Sequence, residues 1–148
     1  MPIVGGPYLA AAFFCDRVLR EHDGVLSFIR VVDKWTVQGP TEAMPPTVIQ
    51  TNLVVLMKSG IHRGGSQVTI VPTSPSGKLL QSVSLPILFE GDDDHGSAVI
   101  AAFGFPVQES GLYWFDIRID DQSFTMVPLR VVYLRSIAMP MAALPPNS

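Results

Sequence analysis

Four groups of residues in this chain have the types and spacing to do chemistry. Asp92-Asp93-Asp94-His95 is the densest set of potential ligands. Its carboxylates suit calcium or magnesium and its imidazole suits zinc. A metal there would point to a metal-dependent hydrolase. The spacing does not fit an EF-hand, which needs alternating acidic residues, a glycine and a distal glutamate. Neighbouring residues on a strand also point to opposite sides, so the default is a solvated acidic turn.

Lys58, His62 and Arg63 lie beside Gly60, Gly64 and Gly65, a composition that can cradle an anion. The Gly-Lys-Ser/Thr ending of a phosphate loop is missing, so a hairpin loop is the expectation. Asp16, Asp33, Glu90 and Asp116 could supply an acid–base pair only if the fold brought two together. The single cysteine, Cys15, lies in an apolar run and reads as a small buried hydrophobe. No Gly-x-Ser-x-Gly elbow, His-Glu-x-x-His or Gly-x-Gly-x-x-Gly occurs. No catalytic residue or cofactor is expected, and the protein reads as non-enzymatic.

The fourth group is a surface. From Gly111 to Phe124 the sequence alternates: Tyr113, Phe115, Ile117 and Ile119 fall on one face, and Trp114, Asp116, Arg118 and Asp120 on the other. Tryptophan and arginine side by side on a strand are what a contact surface uses, for a protein or for a stacked sugar. Trp114, Asp116 and Arg118, with Trp35, are therefore the expected interaction surface.

The elements that must position these residues are strands. Tyr8 to Val18 reads as the first, with a short helix over 16–22 as its alternative. His22-Asp23-Gly24 marks a hairpin turn. Val25 to Val37 follows, with imperfect alternation that suggests burial on both faces or a bulge. Gly39, Pro40, Pro45 and Pro46 make 38–47 a crossover loop. Further strands are expected at 48–59, 67–71, 79–89, 97–105, 111–120 and 123–134. Pro86 marks 79–89 as an edge or bulged strand, and Pro128 is expected to shift the register of the last strand. Closely spaced strands with turns between them predict an antiparallel β-sandwich of seven to nine strands, immunoglobulin-like. The Gly111–Tyr113 pair predicts the structural corner of that fold, a tyrosine hydroxyl turned back onto the preceding backbone.

A chain of 148 residues makes one domain. Residues 1–135 read as the sandwich and 136–148 as an apolar Pro/Met-rich tail. Apolar residues form 47% and charged residues 16% of the chain, and the mean hydropathy is +0.32. Such a surface favours a protein partner, or a second copy in a homo-oligomer. The net charge of −3 and the lack of any basic run exclude the electrostatic footprint of a nucleic-acid binder. The apolar run 8–14 is too short to span a membrane and carries no basic leader or cleavage site, so a cytoplasmic protein is expected.

Three segments carry a resemblance: Phe14-Cys15-Asp16-Arg17-Val18, Asp23-Gly24-Val25-Leu26-Ser27-Phe28-Ile29-Arg30-Val31-Val32-Asp33, and Phe105-Pro106 through Gly111-Leu112-Tyr113 to Val127-Pro128-Leu129-Arg130-Val131. Their order resembles an uncharacterised bacterial family of small cytoplasmic β-sandwich proteins. The resemblance implies a fold and carries no activity. Arg30 stands where a small residue would be expected.

Overall fold

The alternation in the sequence becomes two sheets face to face. The computed structural model describes residues 5–91 and 96–136, and all regular structure among them is β. Nine strands follow in order: β1 (Tyr8–Arg20), β2 (Leu26–Val32), β3 (Lys34–Gly39), β4 (Thr47–Lys58), β5 (Arg63–Thr73), β6 (Val83–Glu90), β7 (Gly96–Val107), β8 (Gly111–Ile119) and β9 (Gln122–Arg135). They form a four-stranded sheet, β2-β1-β4-β7, and a five-stranded sheet, β3-β9-β8-β5-β6. The fold is an all-β sandwich. The tail expected over 136–148 lies outside the described residues beyond Ser136.

The stretch expected as one strand over 25–37 is two. At Asp33 the chain leaves the four-stranded sheet, and β3 joins the other, parallel to β9 from Lys34↔Arg130 to Gly39↔Arg135. The Asp33 carbonyl, accepting from the Arg130 N–H at 3.0 Å, starts that pairing. The imperfect alternation has this cause: two strands that serve different sheets. The 16–22 helix does not form, since β1 runs to Arg20. β5 starts earlier than expected, at Arg63, and β6 later, at Val83. Pro128 does not shift the register. The irregularity falls between Ile117 and Arg118, and Pro128 sits in regular pairing opposite Trp114. It precedes the part of β9 that pairs with β3, so β9 has one partner there and the missing N–H breaks no ladder.

The core fills the space between the sheets. Phe14, Ile49, Leu53, Val55 and Met57 face Val68, Ile70, Phe89, Phe115, Ile117 and Leu129, all essentially inaccessible. Phe115 receives Phe14 and Phe105 edge-on, with centroids 4.8 and 5.1 Å away. Such pairs add stability beyond their buried area. The Tyr113 hydroxyl donates to the Glu109 carbonyl at 2.8 Å. Gly111, at φ 136°, makes the approach, and a Cβ there would stand 2.9 Å from Pro75.

Alternation alone does not reveal the fate of the first hairpin. β1 pairs with β4 only as far as Cys15↔Asn52, then with β2 alone to Arg20↔Leu26. The Asn52 amide donates to the carbonyls of Cys15 (3.3 Å) and Asp16 (3.0 Å), just where the ladder with β4 ends. Arg30 takes φ 58° opposite Asp16. The bent arm lies along the outside of the four-stranded sheet. Phe28 meets Phe13 edge-on at 4.9 Å. Leu26 and Phe28 line a groove with Ala10, Leu56 and Ala98. The arm's cover leaves Val54, on the outer face, fully buried.

Candidate interaction surface

β8 is the central strand of the five-stranded sheet, so its outward side chains sit mid-face. Trp114 lies between Thr73 on β5 and Pro128 on β9; Asp116 lies between Val71 and Met126. Trp114 is 38% exposed and Met126 51%. With Pro128 opposite Trp114 and Val71 opposite Asp116, they form an apolar patch over β5, β8 and β9 beside one charged pair. The Arg118 Nε is 2.7 Å from Asp116 Oδ2, and the Ser123 hydroxyl donates to Asp116 Oδ1 at 2.6 Å. Burial pushes the Asp116 carboxyl up, but Ser123 and Arg118 outweigh it and hold it below the usual carboxylate range. The pair is internally neutral and fixed, which leaves Trp114 and Met126 as the exposed apolar side chains.

The two tryptophans do not share this surface. On β3, Val37 and Gly39 are buried, and Trp35 shares their phase and packs against the core. Trp35 is thus removed from the outward-facing set, because strand period places it inward. Asp92, Asp93, Asp94 and His95 lie outside the described residues. Among the described residues no group of three or more His, Cys, Asp or Glu is placed to hold a metal ion. The carboxylates of Asp16 and Asp116 are not brought together: Asp16 pairs with Arg30 on one sheet and Asp116 with Arg118 on the other. The expected anion loop is largely strand, and the Arg63 Nε donates to the Glu90 carbonyl at 3.0 Å. Cys15 is fully buried; burial, then the neighbouring Asp16 charge, push its thiol up, the opposite of an activated nucleophile.

One cluster has no signal in the sequence. Asp120 sits at the β8–β9 turn, where Asp120 and Asp121 both have positive φ (47° and 69°), the geometry of a two-residue hairpin. Its Oδ1 accepts the Gln67 N–H at 3.1 Å. Ser66 Oγ lies 3.5 Å from His62 Nε2. The Gln67 N–H, then the Ser66 hydroxyl, hold the Asp120 carboxyl low, with His62 adding to them. The three types are those of a nucleophilic triad, but the order is wrong. Serine stands between carboxylate and imidazole, so nothing orients the histidine as a base. The cluster pins β5 to the last hairpin.

Two face-packed sheets, a strand that follows the first hairpin and crosses to pair parallel with the last strand, and a tyrosine pinning the corner before β8 define an immunoglobulin-like sandwich. The chain belongs to the family of unknown function DUF6941, which matches residues 10–132. An immunoglobulin-like protein from Pseudomonas aeruginosa, known from its crystal structure, is similar to it at 11% identity and a TM-score of 0.43, over 85% of this chain and 96% of that one. No curated protein matches the chain.

Proposed function

We propose that this protein is a non-enzymatic interaction or assembly module whose contact face is the outer side of the five-stranded sheet. The observation that carries the reading is Trp114, exposed on the central strand with Met126 and Pro128 near it and a neutralised Asp116–Arg118 pair next along the same face. Large aromatic anchors inside an apolar band supply most of the binding energy at protein interfaces. The pre-formed ion pair lowers the cost of covering the surface, since no unpaired charge has to be desolvated. The partner is a protein with an apolar patch; with the sequence resemblance, the setting is the bacterial cytoplasm. The core closes without a disulfide, its cysteine free and buried, which suits that compartment.

The test compares the wild type with Trp114→Ala. Proteins captured by the wild type and lost with the folded variant are identified, purified and titrated against both by calorimetry, with Trp114 emission as a second signal for the wild type. Equal binding by the two forms rejects the face. Saturable binding of a sugar from a glycan panel, quenching the same emission, would replace this reading with a carbohydrate-binding one.

A further inference from the structure

Toward β3, the outer face of the five-stranded sheet ends on two positive charges. Val37 and Gly39 are buried, so Lys34 points the other way, out of the core. Val127, Leu129 and Val131 are buried, so Arg130 points out as well. The parallel ladder sets the two directly opposite each other, Lys34↔Arg130. Like charges so placed on neighbouring strands repel. Among the described residues neither makes an ion pair that would offset this. Other arginines are held: Arg63 and Arg135 donate to backbone carbonyls, and Arg30 and Arg118 meet carboxylates. The Arg130 backbone N–H is taken by the Asp33 carbonyl, but its guanidinium has no such partner.

These charges adjoin the apolar patch. Lys34 and Arg130 line a shallow groove with Leu112 and Pro128. Leu112 stands opposite Arg130, and Pro128 opposite Trp114, so the groove leads onto the tryptophan. Asp33 lines it too, but forms an ion pair with neither cation. Two cations against one carboxylate leave the groove positive on a chain of net charge −3. Along β8 the Asp116–Arg118 pair needs no counter-charge from a partner; at this margin a counter-charge is missing. On the reading of this face as the contact surface, we infer that its β3–β9 corner takes an acidic segment of the protein partner. Carboxylates of that segment meet Lys34 and Arg130, and an apolar side chain beside them meets Leu112, Pro128 and Trp114. The two cations serve the task differently. The guanidinium takes a carboxylate through two parallel N–H bonds and fixes its direction; the ammonium adds a mobile point charge. A carboxylate between them also relieves their mutual repulsion, which an isolated surface cation does not offer. Charges at the wet rim of a contact act on association rate and salt dependence, while the apolar centre supplies affinity.

The probe is a random linear peptide library displayed on phage, depleted on Trp114→Ala and then selected on the full wild-type chain. Depletion keeps only peptides that need the tryptophan. The expected survivors carry Asp or Glu next to an aromatic or aliphatic residue. One is synthesised and titrated by calorimetry, at low and at high salt, against the wild type and the double variant Lys34→Gln/Arg130→Gln. Both side chains are exposed, so the double variant keeps the fold. It should bind about tenfold more weakly than the wild type at low salt, and the two should converge at high salt. The two kinds of failure are distinct. If no peptide survives depletion, the Trp114 face itself is rejected, and the corner with it. If the survivors lack acidic residues, or the double variant binds an acidic one as tightly as the wild type, the face stands and the acidic partner is overturned. Wild type that co-sediments with phosphatidylglycerol vesicles through the same two cations would assign the corner to an anionic membrane surface and equally overturn it.

Discussion

Asp16 and Arg30 face each other at 3.0 Å where the first hairpin bends away from β4, and Arg30 holds the bend with φ 58°. The Arg30 side chain is 75% exposed, so the ion pair itself contributes little in solvent. The backbone conformation matters more, because a left-handed residue other than glycine costs roughly 1–2 kcal/mol. Arg30→Gly relieves that cost and loses only the exposed pair, so stability should change by less than about 1 kcal/mol. Arg30→Val, with a β-branched side chain, should lose about 1–3 kcal/mol. Urea unfolding of the two variants checks this, and equal losses would show that the ion pair, not the backbone, sets the bend. The sequence shows Arg30 where a small residue is expected, and the positive φ is the reason a small residue suits the position.

The arm itself should open locally. It is held by Asn52 at the bend and by Phe28 and Leu26 on the outer sheet face. Removing an amide that satisfies two carbonyls costs about 1–3 kcal/mol. Asn52→Ala should therefore raise the population of arm-open molecules before global unfolding. Cys15 reports it: the thiol is fully buried in the closed form and slow to react. Labelling of Cys15 by a thiol reagent should be at least tenfold faster in Asn52→Ala under native conditions. An unchanged labelling rate would mean that packing alone holds the arm down.

The corner hydrogen bond offers a cleaner test of structure without function. Tyr113→Phe removes only the hydroxyl that donates to Glu109 and leaves its carbonyl less satisfied. The expected loss is about 1–2 kcal/mol, with Trp114-dependent binding unchanged. A neutral result in urea unfolding would mean that water replaces the hydroxyl at no cost.

How far the fold could be read from the residues depends on how local the signal is. The Gly111 to Ile119 alternation and the Gly111–Tyr113 spacing are properties of one strand and one turn, and both survive into the structure. The change of sheet at Asp33 is different, since it depends on where β9 ends up and leaves only an irregular alternation behind. The same holds for the folded arm. Val18, Leu26 and Phe28 look like ordinary strand residues until the bend turns them onto the sheet. Trp35 and Trp114 are alike by type, and only strand phase separates the core one from the surface one. The Ser66, His62 and Asp120 grouping joins residues from β5, the turn before it and the last hairpin, with no motif to mark it.

Acid should unfold the protein through two carboxylates. Asp116 is pushed up by burial but pulled further down by Ser123 and Arg118; Asp120 is pulled down first by the Gln67 N–H and then by Ser66. Both folded-state values lie below those of the unfolded chain. A depressed carboxylate stabilises the fold fully above its unfolded value, about pH 3.9, and loses that contribution as the pH falls through the folded value. The urea midpoint should therefore be flat from neutrality to about pH 5 and fall progressively below pH 4. Asp116→Asn and Asp120→Asn each remove one titrating group. Each variant should start lower at neutral pH and show a shallower acid decline, and the double variant should be shallower still, because the two sites share no partner. A wild-type profile that stays flat to pH 2 would place the stabilising charges elsewhere. A decline as steep in the double variant as in the wild type would assign acid unfolding to other carboxylates.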